Sequence, residues 1–80
     1  MAILVQIRMI ETVGDLVTYS YSDGNGREGR FDINASTGEL NLNLPMPHDG
    51  HKTYFARAAR KVITDWRKNG HLPVKTAWAS

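Results

Sequence analysis

Cysteine is absent, which excludes disulfides and thiolate metal sites as sources of stability. No apolar run approaches the roughly 18 residues of a membrane-spanning helix. The apolar start, MAILVQIRMIET, lacks the positively charged region and small-residue cleavage site of a signal peptide. These absences together predict a cytoplasmic protein. Internal repeats, low-complexity tracts and linker-like stretches are also missing. The 80 residues are therefore read as a single domain, 1–80, with one core. A domain of this size must rest on packing, or on self-association, for its stability.

Acidic residues are scarce after position 51. Residues 52–80 carry seven basic side chains against Asp65 alone, a charge of +6. Residues 1–51 carry three arginines against seven carboxylates, a charge of −4. The formal net charge of +2 thus conceals a strong division, which bears on partners more than on fold.

What is present in the first half is alternation. Ile3, Val5, Ile7 and Met9 share one face of a strand, with Gln6, Arg8 and Thr12 on the other. Val13-Gly14-Asp15 marks a turn, and Val17, Tyr19 and Tyr21 alternate after it. A three-residue turn places Met9 opposite Tyr19 and Ile7 opposite Tyr21, so the apolar faces agree. After the loop Ser22–Gly26, a strand over about Glu28–Ile33 turns Phe31 and Ile33 inward. Ala35-Ser36-Thr37-Gly38 fits a four-residue hairpin loop, a type I turn closed by glycine. Leu40, Leu42 and Leu44 then alternate with Asn41 and Asn43, until Pro45 and Pro47 end the strand.

Helical spacing follows. Phe55, Ala59, Val62, Ile63 and Trp66 form one stripe, with Asp49 or a neighbour as the cap and Gly70 as the stop. The expected fold is α+β: a four-stranded antiparallel β-meander over about residues 2–44, then one amphipathic α-helix over about 51–69 packed on one sheet face. A short tail, 70–80, completes it.

Few residues suggest catalytic chemistry. His48-Asp49-Gly50-His51 contains metal-ligand types, but four adjacent residues at a loop–helix junction are poorly placed to surround an ion. Gly24-x-Gly26-x-x-Gly29 spells a dinucleotide fingerprint without the helix that must follow it. Ser36 and Ser80 have no partner pattern of an activated nucleophile. No catalytic residue, metal site or cofactor is expected.

The helix face opposite the apolar stripe carries Arg57, Arg60, Lys61, Arg67 and Lys68, with Asp65 at its border. Such a face is either a solvated surface or a surface offered to a partner. Trp78 either folds back onto the domain or anchors a partner. Nucleic acid would use the same cations through counterion release. The strands, however, offer no exposed aromatic series for base stacking.

The run RAARKVITDWRKNGHLPVKTAWAS, together with GRFDINASTGEL, resembles a group of small bacterial proteins. The shared features are Phe55-x-Arg57-Ala58-Ala59, Trp66, Gly70, Pro73 and Trp78-Ala79-Ser80. The resemblance covers about half the chain and implies a bacterial origin and a compact β-then-α domain. It carries no activity. The expected function is a non-enzymatic protein-binding module, such as a regulator, an immunity or antitoxin-like inhibitor, or a complex subunit. Its binding residues would be Arg57, Arg60, Lys61, Arg67, Lys68 and Trp78, with self-association also open. The alternative is a small nucleic-acid-binding regulator using the same face.

Overall fold

The computed structural model describes residues 3–79. Ala2, the expected start of the sheet, and Ser80 lie outside them. The chain forms β1 (Leu4–Val13), β2 (Leu16–Ser22), β3 (Glu28–Asn34), β4 (Leu40–Leu44), α1 (Thr53–Asn69) and β5 (Lys75–Ala79). The strands make one antiparallel sheet in the order β4-β3-β2-β1-β5, with α1 packed across one face. The α+β meander is as expected, but the sheet has five strands rather than four. The segment assigned as a tail crosses to the far edge and pairs with β1, Trp78 opposite Val5 and Thr76 opposite Ile7.

The first hairpin reaches its expected register by a different route. Its turn has two residues, with Val13 opposite Leu16 and Gly14 at φ 59, the positive φ that the first position of a type II′ turn demands. A bulge between Met9 and Glu11 then absorbs Ile10. Beyond it, Met9 faces Tyr19 and Ile7 faces Tyr21. The bulge also moves Thr12 opposite Val17, to the helix side of the sheet, rather than onto the face of Gln6 and Arg8.

A second irregularity lies between Arg30 and Phe31, where β4 shifts register by one. Leu40 and Leu42 face the helix, whereas Leu44 aligns with Arg30 and is half exposed on the opposite face. Met46 fills the core position that alternation assigned to Leu44. The hairpin loop between these strands is the expected four-residue one: the Gly38 N–H donates to the Asn34 carbonyl at 2.7 Å, and Asn34 Oδ1 accepts from the Ser36 N–H at 2.8 Å.

Packing is aromatic at its centre. Tyr19 stacks on Phe31 with ring centroids 5.5 Å apart, and Phe55 of α1 meets Phe31 edge-on at 5.7 Å. Ala58, Ala59 and Val62 are the fully covered helix residues, and the two small side chains let the backbone of α1 approach the sheet. Burial pushes the Tyr19 hydroxyl up to about 12, and it donates to the Pro73 carbonyl at 2.6 Å. That bond fixes the chain where it enters β5.

The start of α1 is capped from a distance. Lys52 precedes the helix at φ 55 and gives no side-chain cap. Asp49 accepts from the N–H groups of Tyr54 and Phe55, each at 3.2 Å, so the expected aspartate serves the orphan donors from the preceding loop. At the other end the Gly70 N–H donates to the Trp66 carbonyl at 2.8 Å, and Arg67 and Lys68 sit in the last turn, where the helix dipole favours cations.

Tyr21 is fully buried, and its hydroxyl has no hydrogen-bond partner among the described residues. Burial pushes its pKa up; the nearby Met46 backbone opposes this without meeting hydrogen-bond geometry, and the Asp49 charge adds to it. Removing an unsatisfied hydroxyl forfeits no bond. Tyr21→Phe is therefore expected to keep stability within about 0.5 kcal/mol of wild type, or to raise it. Urea unfolding measures this; a loss beyond about 1.5 kcal/mol would mean that the hydroxyl holds a bond after all.

Candidate functional site

The five cations of α1 do not form one uniform ridge. Helical spacing puts Arg57, Lys61 and Lys68 on the side of β5, and Arg60 and Arg67 toward the β3–β4 turn. Of the first group, Arg57 and Lys61 are committed to the fold, and Lys68 stays exposed in the last turn. The Arg57 guanidinium lies 5.2 Å from the centroid of the Trp78 ring. Lys61 Nζ is 3.0 Å from Asp65 Oδ1, and the Thr76 hydroxyl donates to Asp65 Oδ2 at 2.6 Å. Helix and edge strand are thereby joined through one carboxylate.

The Thr76 hydrogen bond holds the Asp65 carboxyl below the usual carboxylate range. Partial burial opposes it, while Lys61 and then Lys68 add to it. A depressed pKa in the folded state contributes stability that is present above the unfolded pKa and is lost as pH falls through the folded one. The stability difference between wild type and Asp65→Asn is thus expected to be flat, at about 1 kcal/mol, at neutral pH. It should shrink on acidification below about pH 4. Denaturant melts across pH test this, and a difference independent of pH would exclude the linkage.

Trp78 is not a free anchor. It sits inside β5, packs against the core and carries Arg57 on its ring, with its indole Nε1 buried and without a partner among the described residues. Asp49 spends its carboxylate on the helix start, and among the described residues no three histidines, cysteines or carboxylates gather as metal ligands. Of the glycines in the fingerprint-like pattern, Gly24 and Gly26 lie in the β2–β3 loop and Gly29 lies within β3.

Arg60 and Arg67 remain. Both are exposed, and no carboxylate among the described residues lies within 4 Å of either. Arg67 borders an open groove of about 390 Å³, walled by Thr37 and Gly38 of the β3–β4 loop and by Ile63 and Trp66 of α1. Ile63 and Trp66 rest on the core yet keep part of their surface accessible in this groove. Sequence periodicity places both on the buried stripe. Their open side exists because the hairpin loop stands away from the helix, a distance that one-dimensional spacing does not contain.

The aromatic residues answer the question of stacking surfaces. All seven are buried in the core or packed against it, and none stands on the open face of the sheet. No helix among the described residues is long and apolar enough to cross a membrane. The chain matches no protein-family model, and comparisons with curated proteins and with solved structures return no relative.

Proposed function

We propose that the chain is a non-enzymatic module that binds another protein through the groove beside α1, with Arg60 and Arg67 as its charged rim. One observation carries this reading: Arg67, uncommitted and two turns from the exposed Arg60 on the same side of α1, borders a groove whose floor is a tryptophan and an isoleucine. Arginine and tryptophan dominate the energetics of protein interfaces when they surround a desolvated pocket. A partner segment with an apolar side chain flanked by carboxylates fits that combination. The apolar side chain would cover Trp66 and Ile63, and the carboxylates would meet Arg67 and Arg60 in bidentate pairs. Lys68 would add to the field that steers an acidic partner.

The same cations keep a nucleic-acid reading in play, but its support is weaker. A phosphate backbone gains from charge and from exposed aromatic platforms, and the aromatics here are engaged in packing. Fluorescence anisotropy of labelled single- and double-stranded DNA and RNA, titrated with protein at low and near-physiological salt, separates the two. The protein-binding reading expects no saturable signal at near-physiological salt. Tight, salt-sensitive binding that disappears in the Arg60→Gln, Arg67→Gln double variant would favour nucleic acid instead.

A further inference from the structure

The sheet face turned away from α1 is uncovered and carries a feature that packing does not require. Lys75 of β5 stands directly opposite Arg8 of β1. The neighbouring pair, Met9 and Val74, is joined by the Met9 N–H to the Val74 carbonyl at 2.8 Å. By the alternation of an antiparallel ladder, Arg8 and Lys75 therefore occupy a non-hydrogen-bonded pair, the kind in which side chains come closest. Like charges so placed oppose strand pairing. Both side chains are exposed, and no carboxylate among the described residues lies within 4 Å of either.

The two cations share a groove of about 530 Å³, within the size range of small-molecule sites. Gln6 and Ser22 supply hydrogen-bonding side chains, and Leu4 and Ala77 give it an apolar wall. Glu28 closes the side away from β5. Its Oε1 accepts from the Ser20 hydroxyl at 2.6 Å and lies 3.9 Å from Arg30 Nε. A second anionic group would be repelled at that end, so negative charge is directed to the β1–β5 end.

We propose that this groove is a binding site for a small phosphate-bearing molecule, its anionic group held between Arg8 and Lys75 and its remainder lying along Leu4 and Ala77. A phosphate offers several acceptor oxygens at once. It can take the planar fork of Arg8, the ammonium of Lys75 and the side-chain donors of Gln6 and Ser22 together. Its charge would relieve the repulsion between the cations, so binding stabilises the β1–β5 pair. The site lies on the opposite side of the sheet from α1, and its fate is independent of the helix groove.

The test is a titration of the full-length, ¹⁵N-labelled protein with inorganic pyrophosphate at low ionic strength, followed by amide chemical shifts and matched with chloride. Saturable shifts are expected at Gln6, Arg8, Ser22 and Lys75, and not around Arg60 and Arg67. Arg8→Gln and Lys75→Gln should each weaken binding about tenfold, the effect of losing one charge-assisted contact. Each should leave the thermal midpoint unchanged or higher, because a repulsion has been removed. Shifts that merely track chloride, that centre on the helix, or that survive both substitutions would overturn the proposal. So would a lowered midpoint in both variants, which would mark the pair as a structural contact.

Discussion

Replacing Gly29 by alanine is expected to destabilise the domain by about 3 kcal/mol, the upper part of the range for overpacking a filled core. Gly29 lies directly opposite Tyr21 in the β2–β3 ladder, and the Tyr21 ring folds over it. A Cβ built on Gly29 would overlap the edge of the ring, well inside contact distance of Tyr21 Cζ, Oη and Cε1. The ring has nowhere to go. It is fully buried, 5.8 Å from the Phe31 centroid and 6.2 Å from that of Phe55. The loss would be a large fraction of the stability of a small domain. Urea unfolding of the single variant measures it. The cause is isolated by repeating the substitution in a Tyr21→Leu background, where it should cost less than about 1 kcal/mol because the partner ring is gone. An equal cost in both backgrounds would place the strain in the backbone and not in the aromatic contact.

Trp78→Ala is the second large effect, expected at about 2–3 kcal/mol, somewhat below the range for a fully buried tryptophan. The side chain is half-buried, joins the core opposite Val5 and carries Arg57 on its face. Its loss should act locally as well as globally. β5 is held by its ladder to β1, by the Thr76–Asp65 bond and by the Tyr19–Pro73 bond, and among the described residues it has no neighbouring strand on its other side. Hydrogen exchange should therefore accelerate first at the Val5 amide, which faces Trp78 in a hydrogen-bonded pair of the same ladder, while the Met9 amide beside the Pro73 anchor and the β2–β3 amides keep more of their protection. Arg57→Gln should cost less than about 1 kcal/mol, since it removes only the cation over the ring. If Trp78→Ala left stability and exchange unchanged, the fifth strand would not be an integral part of the domain.

These two residues show what was legible in one dimension. The inward positions of Val5, Ile7, Tyr19, Tyr21 and Phe31 follow from alternation, and their register follows from requiring apolar faces to meet. Bulges escape such a reading because they leave composition unchanged. One at Ile10 returned the register that a longer turn would have produced, and one in β4 exchanged Leu44 for Met46 in the core. β5 was missed because its alternation rests on only Thr76 and Trp78, flanked by alanines with little strand preference. Its partner lies some 70 residues away in the chain.

The same omission hid the groove on the open sheet face. With the tail unplaced, Arg57 reads as a free cation, although Trp78 engages it once β5 is formed; the Lys61–Asp65 pair lies within α1, and β5 adds to it the Thr76 hydroxyl on Asp65. Arg8 and Lys75 could not be seen as neighbours at all. Arg60 and Arg67 are legible as exposed cations, yet the groove beside Arg67 depends on where the Thr37–Gly38 loop stands against Ile63 and Trp66.

The most direct measurement of the central claim compares what wild-type protein and the Arg60→Gln, Arg67→Gln variant capture from nuclease-treated extract of the native host. Both substitutions are at exposed positions, and equal thermal midpoints would confirm intact folding. A defined acidic protein is expected to be retained by the wild type after nuclease treatment, lost with the double variant, and lost again with Trp66→Phe, which removes apolar surface from the groove floor. Capture that is abolished by nuclease, or that is indifferent to both arginines, would contradict it.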